Sequence, residues 1–320
     1  MQGSEKKLIT DATTWRYKPN TLQIETVQGC NRRCEFCGSM GVEHKIHLAD
    51  PLTVHHICKL VREANLNCRI VLAGHGEPTI HPNIVRIVQD IRTMLPKNNI
   101  HLLTNGTVLI KKPDMVRQLF RAGLNDLIID EYTDTRGIGA AIAKSAPEIE
   151  CVRQGAGVPM YAPKDHKARR ICINKPIEFA DNTLSRKLCN HCGAGMKPLE
   201  KPESKMCSII FRDLLIRWDG NIAICCNDFR GEYPVCNILK CQTLRQAFLH
   251  ERLEAARKFL MQKKRCFHPC DICDVSPIRP GLLPDANGKL TMPPPTEIDA
   301  KIVHEKRKPF AVPIRREWEK

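Results

Sequence analysis

The sequence predicts an α/β fold, a partial (β/α)5-6 barrel whose strands run parallel. Short apolar runs recur along the first half of the chain, each of the length of a buried strand. Stretches with apolar residues at helical spacing lie between these runs, and a proline stands near the start of each stretch. Such alternation of strand and helix is typical of a parallel sheet covered by helices.

The expected barrel strands cover residues 21–28, 69–73, a run around residue 100, 126–130 and 169–175. The expected helices between them cover 52–64, 83–95 and 112–123, next to Pro51, Pro82 and Pro113. The stretch between Asp130 and Arg169 is short for its place in the pattern. It leaves the number of barrel strands at five or six.

After residue 175 the pattern changes to two strands within 208–226, joined by a turn at Asp219-Gly220, and a helical stretch at 243–260. This change predicts a small C-terminal β-hairpin plus helix domain. The expected divisions are an N-terminal extension (1–20), the barrel core (21–200), the small domain (201–275) and a Pro-rich basic tail (276–320). We expect the prolines of the tail to interrupt regular structure.

The composition limits the compartment and the partners. Lys+Arg of 50 against Asp+Glu of 35 gives a formal charge of +15, which favours anionic partners, either an anionic substrate or a nucleic acid. Aromatic residues make up only 5%, which is poor material for stacking bases. The N-terminus lacks an apolar export signal, and no run approaches the roughly 20 apolar residues that cross a bilayer. We therefore expect a cytoplasmic protein with no membrane partner, whose 17 cysteines are reduced and in part bind metal.

Three cysteines follow the first predicted strand with the spacing C-x-x-x-C-x-x-C: Cys30, Cys34 and Cys37. Soft thiolates in a short loop suit an iron-sulfur cluster or zinc. Three ligands leave one iron of a cubic cluster without a protein ligand, whereas a structural zinc site is normally closed by four. The incomplete set favours chemistry at an open position, and a zinc knuckle is the alternative.

This loop resembles that of the radical S-adenosylmethionine (radical SAM) superfamily, C-x-x-x-C-x-aromatic-C, with Phe36 at the aromatic position. Two later segments resemble the G-x-G-E-P and T-N-G motifs of that family. The resemblance implies a [4Fe-4S] cluster on the three cysteines, bound S-adenosylmethionine (AdoMet), and a reductase or a flavodoxin- or ferredoxin-type electron donor. The implied AdoMet-binding residues are Phe36, Gly74, Gly76, Glu77, Pro78, Thr104, Asn105 and Gly106. We expect the glycines there because a backbone that approaches a ligand closely has no room for a Cβ.

The C-terminal region resembles the SPASM/twitch extension of radical SAM enzymes, which carries auxiliary clusters. The resemblance implies a second, auxiliary [4Fe-4S] cluster closed by four cysteines, Cys207, Cys225, Cys270 and Cys273, with Gly220 in the hairpin turn. No cysteine follows Cys273, so we expect one auxiliary cluster, as in the shorter twitch form. A zinc ribbon is the alternative. The neighbouring cysteines, any of which could replace a ligand although free cysteines are often simply buried, are Cys189, Cys192, Cys226, Cys236, Cys241 and Cys266.

The same layout resembles a twitch-type aminocyclitol dehydrogenase of butirosin biosynthesis, which oxidises a secondary alcohol. The resemblance implies a 5'-deoxyadenosyl radical that takes a hydrogen atom from the substrate. A closed auxiliary cluster suits acceptance of the remaining electron, so net oxidation is our leading hypothesis. The alternatives are radical modification of a nucleic acid, nucleotide or phosphorylated substrate, modification of a ribosomal peptide, and a non-catalytic metal-binding protein that binds nucleic acid.

Residues that handle the substrate are the least defined part of the prediction. Asp130, Glu131 and Tyr132 follow a strand end, and Lys175 and Asn190 follow the last barrel strand. Acidic residues after a strand are more often surface or capping groups. The sequence therefore assigns no general base and no other catalytic residue.

Overall fold

The structure, a computed structural model, describes residues 18–153, 167–174, 189–275 and 294–310. The strands are β1 (Thr21–Ile24), β2 (Val27–Gln28), β3 (His47–Leu48), β4 (Arg69–Leu72), β5 (Ile100–Thr104), β6 (Asp126–Ile129), β7 (Glu150–Arg153), β8 (Arg170–Ile173), β9 (Asp213–Ile216), β10 (Asn221–Ala223) and β11 (Pro234–Asn237). The helices are α1 (Pro51–Glu63), α2 (Ile84–Met94), α3 (Thr107–Lys111), α4 (Asp114–Arg121), α5 (Ile138–Lys144), α6 (Ile209–Arg212), α7 (Leu244–Phe248), α8 (Glu251–Met261) and α9 (Glu297–His304).

A single sheet dominates the described residues, with the strand order β11-β10-β9-β1-β4-β5-β6-β8-β7. The seven strands from β9 to β7 run parallel, which confirms the α/β class. The five predicted barrel strands all form. Strand β7, whose sequence shows only a weak apolar pattern, lies largely exposed at the sheet edge and adds a sixth barrel strand. The outer strands β7 and β11 do not pair with each other in the part of the chain described, so the sheet is open there.

The helices bury the apolar stripes that the sequence pattern predicts. Val54, Ile57 and Val61 of α1 and Ile87 and Ile91 of α2 lie at helical spacing, and all are buried. Strands β6 and β8 are buried along their whole length, as expected for central strands covered on both faces. No helix among the described residues is long and apolar enough to cross a membrane.

The predicted hairpin forms from β9 and β10, and Gly220 in its turn has a φ of +82°, which favours glycine. Strand β9 pairs in parallel with β1, from Thr21 opposite Asp213 to Ile24 opposite Ile216. The hairpin therefore extends the barrel sheet, and the regions predicted on either side of residue 200 share one sheet.

The prediction that prolines break all regular structure in the tail is wrong for residues 297–304, which form α9. Thr296 caps this helix and shares a capping box with Asp299. The helix packs on α8, where Lys258 Nζ lies 2.9 Å from Asp299 Oδ2 and Arg252 Nη1 donates to Ile302 O at 2.9 Å. Residues 276–293 and 311–320 of the predicted tail lie outside the described residues.

A buried histidine in the sheet makes stability depend on pH. Burial, and then the charges of Arg69 and Arg170, lower the pKa of His101 on β5 to about 3. Unfolded histidine has a pKa of about 6.5, so below that pH the unfolded chain binds a proton that the folded chain refuses. We expect the free energy of unfolding to fall as the pH is lowered from about 6.5 towards 4.5, and His101→Asn to flatten that fall.

Urea unfolding followed by circular dichroism at several pH values tests this expectation. His304→Asn, which replaces an exposed histidine, is the control and should keep the parent's pH dependence. An equally steep fall in the His101→Asn protein would contradict the assignment.

Candidate active site

A cavity lies beyond the carboxyl ends of β4, β5 and β6, beside the loop that follows β2, which is where ligands bind on parallel sheets. The predicted residues that line it are Cys30, Cys34, Phe36, Cys37, Gly76, Glu77, Thr104 and Asn105. The other lining residues are Arg32, Ser39, Ala73, His75, Leu103, Asp130 and Tyr132. Gly74, Pro78 and Gly106 belong to the same turns but are not lining residues. The structure thus brings all three segments of the sequence motifs to one place.

Backbone contact between the cysteine loop and the turn after β4 explains why residue 76 is a glycine. Gly29 N donates to His75 O at 3.1 Å, and Glu77 N donates to Gly29 O at 3.0 Å. A Cβ on Gly76 would stand 2.2 Å from Val27 O and 2.4 Å from Gly29 O. The expectation that a ligand excludes the Cβ is therefore incomplete, because at Gly76 the cysteine loop itself excludes it.

The Glu77 carboxylate connects the two motif turns through hydrogen bonds. Its Oε1 accepts hydrogen bonds from Thr79 N (3.0 Å) and Thr104 Oγ1 (2.7 Å), and its Oε2 accepts one from Asn105 N (2.8 Å). Burial raises the pKa of Glu77, and these hydrogen bonds oppose the rise. The carboxylate is thus occupied in holding the turn after β5 against the turn after β4.

Glu77→Gln is expected to lower the free energy of unfolding by about 1–3 kcal/mol, because the new amide would face the N–H of Asn105 with a donor and leave it unpaired. Urea denaturation measures the change. Glu63→Gln, on the exposed end of α1, is the matched control. Equal stability of the two variants would contradict the joining role of Glu77.

The turn after β5 also contacts the cysteine loop. Asn105 Nδ2 donates to Asn31 Oδ1 at 3.0 Å and lies 3.5 Å from Cys30 Sγ, and Asn31 Nδ2 donates to Thr107 Oγ1 at 2.8 Å. Burial is the main cause that raises the pKa of the Cys30 thiol to about 11. Binding of metal must therefore release a proton from this thiol.

Aromatic and charged side chains form the opposite wall. The rings of Phe36 and Tyr132 lie 5.9 Å apart, and the Arg32 guanidinium lies 5.0 Å from the Tyr132 ring centre. Arg32 also pairs with Asp134, donating to both carboxylate oxygens at 2.8 Å. Asp130 accepts a hydrogen bond from Asn174, and burial raises the pKa of its carboxyl.

Of the five residues suggested for substrate handling, the structure describes four and places them in different surroundings. Asp130 and Tyr132 line the cavity. Glu131 does not, because its carboxylate accepts from Gly139 N at 2.8 Å in the first turn of α5. Asn190 instead contacts the segment after Cys270, where its Nδ2 donates to Ile272 O at 2.7 Å. Lys175 lies outside the described residues.

A buried network behind the cavity was missed by the sequence analysis. Glu25 Oε1 accepts from His75 N at 2.9 Å, and Glu25 Oε2 accepts from Trp218 N at 3.2 Å. Burial alone would raise the pKa of Glu25, but Arg217 and His75 lower it to about 2. This carboxylate interrupts the predicted strand 21–28 between β1 and β2. The acidic residue inside an apolar run was the signal that could have revealed it.

The orientation of His75 links the cavity to the hairpin. Arg217 Nη1 lies 3.0 Å from His75 Nδ1, and Glu25 Oε1 lies 3.3 Å from the same nitrogen. His75 Nε2 donates to Cys226 O at 3.1 Å, and its ring lies 4.2 Å from that of Phe229. One wall of the cavity is thus fixed by residues next to Cys225.

The four cysteines predicted to hold a second cluster lie close enough to affect one another. The pKa of Cys270 is raised well above its usual value, first by burial and then by Cys225, Cys273 and Cys207. Arg265 Nη1 donates to Cys273 O at 2.9 Å and fixes that part of the loop. Interaction with the thiols of Cys225 and Cys273, together with burial, raises the pKa of the Cys192 thiol well above its usual value.

The three thiols at the cavity fit the [4Fe-4S] cluster that the family implies, because soft thiolates are the ligands that such clusters take. Among residues 18–153, 167–174, 189–275 and 294–310, no group of three or more His, Cys, Asp or Glu side chains that could hold a metal ion is found.

Comparison with known proteins agrees with this assignment. Residues 24–130 match the model of the radical SAM superfamily. GTP 3',8-cyclase of Trichodesmium erythraeum is 31% identical over 112 residues, and that of Nostoc punctiforme is 33% identical over 112 residues. Each match covers 34% of this chain and 33% of the relative, so the chain spans about a third of the length of these curated relatives.

Among solved structures, BtrN in complex with AdoMet and 2-DOIA has a TM-score of 0.58 at 18% identity, covering 80% of this chain and 93% of BtrN. BtrN in an open conformation has a TM-score of 0.54. Residues 24–130 therefore resemble the radical SAM domain, and the expected resemblance of the wider fold to a twitch-type enzyme is supported by the likeness to BtrN.

Proposed function

We propose that this chain is a radical SAM enzyme that binds a [4Fe-4S] cluster through Cys30, Cys34 and Cys37, binds AdoMet in the adjoining cavity, and oxidises its substrate. The observation that supports this most strongly is that the three cysteines share one cavity with Phe36 and Asn105, on turns from different strands.

When bound, the cluster supplies the electron that divides AdoMet into methionine and a 5'-deoxyadenosyl radical, which takes a hydrogen atom from the substrate. The chain itself holds the cysteine loop in place and shields the cavity from water. Asn105 fixes the cysteine loop through Asn31, and Phe36, Tyr132 and Arg32 cover one side of the cavity and limit the entry of water.

The second thiol group supports net oxidation over other radical reactions. Four cysteine ligands would leave no iron of the auxiliary cluster open to substrate, which suits that cluster to accept an electron. Conversion of a secondary alcohol to a ketone removes one hydrogen atom, one proton and one electron. The hydrogen atom would go to the deoxyadenosyl carbon, the electron to the auxiliary cluster and the proton to solvent. The fold likeness to BtrN agrees with a small hydroxylated substrate such as an aminocyclitol.

Radical modification of a nucleotide or another phosphorylated substrate is the second candidate. The relatives named GTP 3',8-cyclase and the net charge of +15 favour it. The cavity favours it less, because Arg32 is the one Lys or Arg among its described lining residues and Asp134 already pairs with it. We further propose that a flavodoxin- or ferredoxin-type protein, or a reductase, delivers the electron to the triad cluster.

The experiment that separates these candidates offers aminocyclitols, sugars and nucleotides to anaerobically reconstituted protein with AdoMet and a reductant. We expect an aminocyclitol or sugar deuterated at the reacting carbon to transfer deuterium into 5'-deoxyadenosine and to yield the corresponding ketone. Deuterium transfer from a nucleotide alone would contradict the oxidation and support the second candidate.

A further inference from the structure

Two cysteines that belong to neither thiol group lie side by side at the edge of the sheet. Cys236 stands in β11, the outermost strand, and Cys241 directly follows the single helical turn at residues 238–240. Their Sγ atoms are 3.9 Å apart, and Cys241 Sγ lies 3.5 Å from Asn237 O. Either sulfur can donate a hydrogen bond to the other. The two thiols therefore form a pair.

The turn between the two cysteines is fixed by hydrogen bonds. Asn237 Oδ1 accepts from Leu239 N at 2.9 Å, and Asn237 Nδ2 donates to Asp219 O at 3.1 Å. Ile238 N donates to Gly220 O at 2.8 Å, so the turn is held against the hairpin of β9 and β10. A disulfide bond is about 2.05 Å long, so the two sulfurs need to approach by about 2 Å. A change of side-chain rotamer can supply that approach while the turn stays in place.

An open cavity of about 480 Å³ gives a small molecule access to the pair. Cys236 is half-buried and Cys241 is 7% exposed, and both line this cavity. The described lining residues include no cysteine of the two thiol groups, so the pair is separate from the proposed cluster sites. The cavity thus presents two adjacent thiols to one bound molecule.

The charge around the pair favours an anionic molecule. Lys240, Arg307 and Lys308 line the cavity, whereas no Asp or Glu is among its described lining residues. Glu305 pairs with Arg307 at 3.0 Å, so the two lysines supply the remaining positive charge. Positive charge attracts anions and stabilises thiolates.

The hydrogen bond between the two thiols supports their reactivity. It lowers the pKa of Cys241 and raises the pKa of Cys236, because the two sulfurs share one proton. The pair therefore gives up its first proton readily and keeps its second. That leaves one thiolate as a nucleophile with one thiol beside it.

We propose that Cys236 and Cys241 form a thiol–disulfide exchange site for a small disulfide that carries carboxylates. One cysteine thiolate attacks a sulfur of the small disulfide, whose S–S bond breaks, and a mixed disulfide forms with release of one small thiolate. The second cysteine then attacks the mixed disulfide and releases the other small thiolate. The two cysteine protons pass to the two released thiolates, so the internal disulfide forms without a further oxidant. This activity is independent of the radical reaction proposed above.

The test treats the full, anaerobically reconstituted chain with glutathione disulfide, alkylates the remaining thiols and digests the protein with trypsin. Trypsin cleaves after Lys240, between the two cysteines, so an internal disulfide joins peptide 231–240 to peptide 241–245. Mass spectrometry detects this cross-link, and we expect it to be the main product at the two cysteines. Cys151, exposed on β7, is the control and should form only a mixed disulfide with glutathione.

Two sets of comparisons make the test specific. In Cys236→Ser and Cys241→Ser, the remaining cysteine should stop at the mixed disulfide. Cystamine, a small disulfide with two ammonium groups, should oxidise the pair about tenfold more slowly than glutathione disulfide does. Lys308→Gln should lower the rate with glutathione disulfide about threefold.

A parent protein that forms only mixed disulfides at these two positions, or does not react there, would overturn the exchange site. Equal rates with cystamine and glutathione disulfide would overturn the anionic class of substrate and the proposal with it. The cross-link in the parent decides the proposal even where a serine variant fails to fold, which circular dichroism detects. Because the readout does not involve cleavage of AdoMet, failure of the proposed radical function would leave this result unchanged.

Discussion

Cys34→Ala is expected to remove the triad cluster and to reduce 5'-deoxyadenosine release to the level seen without protein. In the proposed function the loop supplies three thiolates to the cluster, and two thiolates cannot hold three of its irons. With the two proposed clusters, iron content should fall from about eight to about four atoms per chain, because Cys34 does not belong to the second thiol group. Since Cys34 is only half-buried in a loop, its truncation should leave the fold intact.

Metal analysis, AdoMet cleavage and circular dichroism together test this prediction. Cys172→Ala, which truncates a buried thiol in β8 away from the cavity, is the control and should keep all of its iron. Full iron and undiminished AdoMet cleavage in Cys34→Ala would show that the triad is not the catalytic cluster site.

Gly76→Ala should have the second largest effect. The new Cβ would meet two carbonyl oxygens, Val27 O at 2.2 Å and Gly29 O at 2.4 Å, and neither belongs to a flexible side chain. The cysteine loop must then move away from the turn after β4. We expect a loss of about 1–3 kcal/mol in the free energy of unfolding. We also expect a displaced loop that no longer holds its cluster firmly, so that the triad iron is lost on dilution.

Gly137→Ala is the matched control for that change. Gly137 has a φ of +84°, so alanine is strained there, but its Cβ would meet nothing within 4 Å. We expect a similar or smaller loss of stability, of about 1–2 kcal/mol, with the iron fully retained. Retention of iron in Gly76→Ala equal to that in Gly137→Ala would contradict the role of the Gly29–Gly76 contact.

Much of the fold could be predicted from local patterns. The strands β1, β4, β5, β6 and β8 and the helices between them follow apolar periodicity, which local sequence carries. Strand β7 could not be predicted in this way, because an exposed edge strand needs few apolar residues. The helix α9 was not predicted because the prolines around it outweighed its capping box in the sequence pattern. Its contacts with α8 are also remote in sequence: one ion pair, Lys258 with Asp299, and the hydrogen bond from Arg252 to Ile302 O.

The parts of the site that lie in contiguous sequence motifs could be predicted. The cysteine loop and the two glycine turns were found, and the structure brings them to one cavity. Glu25, His75 and Arg217 were not found, since they come from three separate elements and meet only in the folded chain.

The central claim is that the cavity beside Cys30, Cys34 and Cys37 holds a cluster that cleaves AdoMet. The most direct test is release of 5'-deoxyadenosine and methionine from AdoMet by anaerobically reconstituted protein with a strong reductant, measured in parallel with the triple alanine variant of the triad. We predict release by the parent, increased by the true substrate, and none by the variant. Equal release by both proteins, or none by a parent that carries its full iron, would contradict the account.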